Sequence, residues 1–102
     1  DEDMKKELRR KLMQLIYSLG LREVYGNGED VSSEVNQAFE MLFILTDEET
    51  INQLTSMWEK RNDGLNNIVW APSGNELNEA LLFRLMKFEK EATTVLTERK
   101  YI

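Results

Sequence analysis

With 102 residues the chain is one small domain's worth, and 41% hydrophobic against 31% charged residues places it among globular rather than disordered sequences. It contains no cysteine and no histidine, which removes disulfide frameworks, thiolate nucleophiles, Ser-His triads and the imidazole ligands of the usual zinc, copper and iron sites. Its 13 cations against 19 acids leave a formal net charge of −6, which repels nucleic acid overall and favours cationic partners.

Met4, Leu8, Leu12, Leu15, Ile16 and Leu19 recur at three- and four-residue steps and predict an amphipathic helix over 3–19. Gly20 stands where a left-handed C-terminal cap is expected. Asp1, Glu2 and Asp3 lie at the positive end of the helix dipole. Lys5, Lys6, Arg9, Arg10 and Lys11 form a cationic face beside the apolar stripe. Residues 21–30 read as a connection, with room for a short extended piece at 22–25. In it Gly26, Asn27 and Gly28 accept positive φ.

Ser32 or Ser33, with Asp30 as the alternative, caps a second helix over 32–45 whose stripe is Val35, Ala38, Phe39 and Leu42. Met41, Phe43, Ile44 and Leu45 make its far end apolar on most sides, which predicts burial at the centre of the core. Thr46 and Glu49 fit a capping box that opens a third helix over 47–62. Ile51, Leu54, Met57 and Trp58 are its core residues, and Asp63-Gly64 ends it. The stretch 65–72 is irregular and holds the only proline, Pro72.

Ser73 and Glu76 form a second capping box before a fourth helix over 74–99, with Leu77, Leu81, Leu85, Phe88, Ala92, Val95 and Leu96 down one face. Leu82, Phe83 and Met86 widen its apolar arc. Being the longest, this helix is expected to project from about Thr94 or to pair with another chain, which makes a homodimer through helix four one expectation. The fold class is therefore all-α, a single compact domain spanning 1–102, of about four helices in an antiparallel, bundle-like arrangement. No apolar run approaches the roughly 20 residues that span a bilayer, so no membrane contact is expected. With no cysteine, a cytoplasmic setting is expected.

Sites for chemistry are sparse. Asp47, Glu48 and Glu49 are adjacent acids that diverge around a helix, and Asn27-Gly28-Glu29-Asp30 lacks the alternating ligands of a calcium loop. No glycine-rich loop is followed by the lysine and hydroxyl residue of a phosphate cradle. The reading is a non-enzyme with no catalytic residue, cofactor or metal.

What remains is binding. Residues 23–59 contain nine acids and no lysine or arginine, and Ile68, Val69 and Trp70 give the second connection an apolar anchor. The expected function is a non-catalytic protein–protein interaction module, an adaptor, regulatory or inhibitory subunit. It would bind a basic protein through Ile68, Val69, Trp70, Glu34, Glu40, Asp47 and Glu48. Two alternatives follow from the same charges. One is an acidic nucleic-acid mimic that blocks a nucleic-acid-binding protein. The other is a small nucleic-acid-binding subunit using Lys5, Lys6, Arg9, Arg10 and Lys11, the weaker reading at this net charge.

Overall fold

The structure, a computed structural model, describes residues 1–65 and 76–102, with the backbone alone for Glu76 and Leu77. Among the described residues the chain forms four α-helices: α1 (Glu2–Tyr25), α2 (Ser32–Ile44), α3 (Glu48–Lys60) and α4 (Glu76–Glu98). Bonds between the helices fix an up-down-up-down order. Arg22 of α1 binds Glu34 of α2, Arg84 of α4 donates to the Asp63 carbonyl beyond α3, and Arg99 reaches Gln53 on α3. Each helix packs on two neighbours, α1 on α2 and α4, and α3 on α2 and α4, while α2 and α4 sit diagonally, their backbones apart across the shared core. The apolar centre is built from Ile16, Leu42, Leu54, Leu85, Ala92 and Leu96, which are sealed from water.

α1 begins where Asp1 accepts the Met4 amide at 2.9 Å. It does not stop at Gly20. The helix runs on to Tyr25, so the extended piece open at 22–25 is helical as well. Gly20 instead marks the close approach of α1 to α4: a Cβ there would lie 2.5 Å from Cδ1 of Leu85. The turn comes at Gly26, with Asn27 (φ 54°) and Gly28 (φ 91°) in left-handed backbone. The buried stripe is also rotated from the expected one. Arg9, Leu12, Met13, Ile16, Leu19, Gly20 and Val24 face inward, whereas Met4, Leu8 and Leu15 are exposed. A helix wedged between two neighbours centres its buried arc between them, and the outer leucines fall off its edge.

The N-cap position of α2 is Val31, which offers no side-chain cap bond, so neither serine nor Asp30 is the cap. Asp30, one position earlier, accepts the Ser32 amide at 3.0 Å and closes the turn that enters the helix. Its buried residues are Val35, Ala38, Phe39 and Leu42. The expected burial of Met41, Phe43 and Ile44 does not occur, because α2 has a helix against only two of its sides and all three are exposed.

α3 starts one position later than the Thr46 box implies. Asp47 accepts the Thr50 amide at 2.8 Å and the Thr50 hydroxyl at 2.7 Å, while Thr46 donates its own hydroxyl back to the Leu42 carbonyl at 2.8 Å. The charged acceptor takes the cap. The Ser73 box lies outside the described residues. At the other end of α4 the chain does not project. Lys100 turns left-handed (φ 64°), and the Tyr101 amide bonds the Leu96 carbonyl at 2.8 Å while that of Lys100 bonds Thr97 at 3.0 Å. This is a Schellman closure. It folds Tyr101 and Ile102 back against the core.

Candidate functional site

Much of the acidity of residues 23–59 is spent inside the molecule. Glu23 accepts from Arg61 at 2.6 Å, both side chains being largely buried. That guanidinium also stacks 3.7 Å from the Trp58 ring, which meets Phe39 and Phe88 edge-on. Glu29 and Glu34 share Arg22, whose proton is held more tightly than usual chiefly through the Glu34 hydrogen bond. Asp30 accepts the Ser32 amide in the turn before α2, and Asp47 caps α3. Among the described residues, Glu40, Glu48, Glu49 and Glu59 are exposed acids of this stretch without an ion pair.

Asp47, expected at a partner surface, belongs to a polar cluster at the base of the bundle. It accepts from the Tyr101 hydroxyl as well as from Thr50. These bonds, that of Tyr101 first, lower its carboxyl to a pKa of about 2. The Tyr101 hydroxyl is correspondingly raised, mainly by the same bond. Arg9, expected on the cationic face, is the other half of the cluster. It is 5% exposed. Its guanidinium donates to the Leu45 carbonyl at 2.6 Å, to the Tyr101 carbonyl at 3.0 Å and to Glu2 at 3.1 Å. The cationic face is thus divided. Arg9 is withdrawn, and Arg10, beside Glu7, lines a groove against α4 with Met13 and Thr97. Lys11 points about 100° away from Arg10. Lys5 and Lys11 are exposed and Lys6 is half-buried.

Among the described residues no cluster of three or more Asp or Glu side chains is arranged to hold a metal ion. Among the described residues the shifted carboxyl groups, Glu2, Asp30 and Asp47, are all lowered. That is the opposite of the raised value a carboxylic acid needs to donate a proton at neutral pH.

The surface that stands out is on α2. Ile44 is 83% exposed, with Met41 and Phe43 also in water. Ile44, Glu40, Gln37 and Ser33 are spaced four, three and four residues apart, so they share the outward side of the helix. Sequence reading put Ile44 in the core, although its polar companions at these spacings already marked an outward side. Met41 sits on the Glu34 side of α2, toward α1. The pairs Arg22–Glu34 and Arg9–Leu45 set it level with the turn that holds exposed Leu15. Glu34, Glu40 and Glu48, three of the acids expected to meet a partner, are exposed on α2 and the first turn of α3. Ile68, Val69 and Trp70 lie outside the described residues.

A second exposed apolar surface lies on α4. Phe83 and Met86 stand out from an open depression of about 1210 Å³, edged by Tyr17 of α1 and Met57 of α3, whose charged lining is balanced: Lys87 and Lys90 against Glu89 and Glu91. Beside it, a groove of about 370 Å³ between α3 and α4 is lined by Lys60, Arg61, Arg84 and Lys87. No described helix is long and apolar enough to cross a membrane. No protein-family model, curated protein or solved structure matches this chain.

Proposed function

We propose that the domain is a non-catalytic, cytoplasmic protein-interaction module whose working face is the outward side of α2, and that it receives a basic partner. The observation that carries this reading is Ile44, exposed beside Met41 and Phe43 on a helix that bears acids and no cation. An isoleucine in water gains about 1.5–3 kcal/mol on full burial. Glu40 and Glu48 around it would steer a cationic surface into place and disfavour an acidic one. The side of α2 opposite to it is already used by the core, so the exposed residues do not serve the fold. A nucleic-acid mimic would draw on the four exposed acids of α2 and α3 that have no ion pair among the described residues, Glu40, Glu48, Glu49 and Glu59, and a nucleic-acid-binding role on a cationic face that has lost Arg9. Neither has an apolar use for Ile44.

The test is capture from a source-cell lysate, treated with nuclease, on immobilised wild-type protein and on the Met41→Gln/Ile44→Gln variant. A protein retained by the first and bound at least about tenfold more weakly by the second, with helicity unchanged, supports the reading. Equal retention by both, or capture that disappears with nuclease, overturns it.

A further inference from the structure

We propose that the groove between α3 and α4 is an anion-binding site that takes a small molecule carrying two or more linked phosphate groups. The groove holds about 370 Å³, within the range of small-ligand pockets. Lys60, Arg61, Arg84 and Lys87 line it, four of the 13 cations of a chain whose net charge is −6. Among the described residues Glu91 is the one acid in its lining. The segment 66–75 contains no charged residue, so it adds neither acid nor base to this balance.

The four cations differ in how far they are already engaged. Arg61 is neutralised: its guanidinium pairs with Glu23 at 2.6 Å and lies on the Trp58 ring. Lys87 has Glu91 at 4.0 Å, an exposed pair one turn apart that holds it weakly. Lys60 and Arg84 have no carboxylate within ion-pair distance among the described residues. Arg84 uses one nitrogen, Nη1, on the carbonyls of Asp63 at 2.6 Å and Arg61 at 3.4 Å. Those bonds fix the guanidinium at the end of α3 and leave its Nε and Nη2 without a partner among the described residues. With Glu23 and Glu91 set against the four cations, two positive charges remain.

The neutral part of the lining donates as well. Gln53 accepts from Arg99 through Oε1 at 2.6 Å, which leaves its amide hydrogens for another acceptor. The Ser56 hydroxyl makes no hydrogen bond among the described residues. Gln53, Ser56 and Lys60 recur at three- and four-residue steps on α3, as Arg84, Lys87 and Glu91 do on α4, so each helix gives the groove one side. A wall of donors suits a ligand rich in acceptors, and guanidinium and ammonium groups hold phosphate oxygens by charge-assisted hydrogen bonds. Arg84 and Lys87 are spaced about 4.5 Å along the helix axis, so successive phosphates of one ligand can each meet a cation. A longer polyanion is disfavoured. Beyond the groove it would run onto exposed Glu49, one turn before Gln53 on the same side of α3, and onto Glu59 beside Lys60.

The experiment titrates sodium tripolyphosphate into the purified chain at about 0.1 M salt, by calorimetry, with NMR shifts of the Gln53 amide and the Arg84 Nε–H reporting the place of binding. Lys60→Gln/Lys87→Gln removes two exposed cations of the groove. Lys5→Gln/Lys11→Gln removes two exposed cations of α1 for the same change in net charge. Circular dichroism checks that both variants keep their helicity. Wild type is expected to bind one tripolyphosphate per chain with Kd below about 1 mM, and inorganic phosphate at least about tenfold more weakly. The groove variant is expected to lose at least about tenfold in affinity, and the α1 variant less than about twofold. Pyrophosphate and ADP carry the same two linked phosphates. ADP binding more tightly than pyrophosphate identifies the ligand as a nucleotide, and ADP binding no more tightly identifies it as a free oligophosphate. No binding up to about 10 mM, inorganic phosphate bound as tightly as tripolyphosphate, equal weakening by both variants, or shifts that leave Gln53 and Arg84 unmoved overturns the inference.

Discussion

The hydroxyl of Tyr101 donates to the carboxylate of Asp47, tying the turn beyond α4 to the cap of α3 across 54 residues of sequence. The bond helps to hold the Asp47 carboxyl at a pKa of about 2, against 3.8 for the free side chain. A depressed carboxyl adds stability that is fully present above the unfolded value and is lost as pH falls through the folded one. The Asp47 share of stability should therefore be intact above about pH 4 and should drain away down to about pH 2. Tyr101 runs the other way. Its raised value means that its share is intact below pH 10 and fades as pH climbs beyond. Tyr101→Phe should shift the Asp47 titration upward, toward 3.8, as followed by carboxyl NMR. An unmoved titration would mean that Thr50 alone sets it.

Arg9 and Arg10 are neighbours in sequence and opposites in the fold. Arg9→Gln should cost about 2–3 kcal/mol, since it strips a charged donor from two backbone carbonyls in a partly buried site. Arg10→Gln should change stability by no more than about 0.5 kcal/mol, its partner Glu7 being exposed. Urea denaturation of both variants checks the contrast, and equal effects would contradict the burial of Arg9.

Gly20→Ala sets two terms against each other. Alanine favours the helix by about 1 kcal/mol. Its methyl would also press on Leu85, which is itself fully buried and has nowhere to turn, and overpacking of this kind costs about 1–3 kcal/mol. The net result should be a loss of about 1 kcal/mol, a fall in Tm of roughly 4–8 °C for a domain of this size. In a Leu85→Ala background the same substitution should become stabilising, because the space it needs is then open. A double-mutant cycle with no coupling would refute the close approach.

Lys100→Gly should raise stability. Lysine at φ 64° occupies backbone that side chains avoid, and glycine accepts it freely. A gain of about 0.5–1 kcal/mol is expected, read as a higher Tm. A drop would show that the lysine side chain contributes more than its backbone costs.

The periodic apolar spacing of α1, α3 and α4 made the helices and the antiparallel order legible, whereas the expected caps at Gly20, Ser32 or Ser33 and Thr46 fell one or more positions from the true ends. The misplaced features share a cause: each is decided by something remote in sequence. A glycine after a leucine reads equally as a stop or as a close-packing point, and Leu85 settles which. Thr46 and Asp47 are both competent caps, and Tyr101 adds a further bond to the one that takes the cap. Five cations in seven positions look alike until the Leu45 and Tyr101 carbonyls single out Arg9. The candidate site had the same obstacle. Glu34 and Glu23 look like free surface acids until Arg22 and Arg61 reach them. Ile44 looks like core until the number of neighbours around α2 is known.

The Arg9–Tyr101 bond spans 92 residues. A chain leaving the ribosome in order makes α1 first and has α2 and α3 to lay beside it, but the α4 side of α1, with Gly20 and Met13, stays wet until α4 and the turn beyond it have been made. Closure of this domain therefore waits for its fourth helix. Up to that moment, the nascent bundle is an open trough that offers its apolar floor to whatever holds unfinished chains.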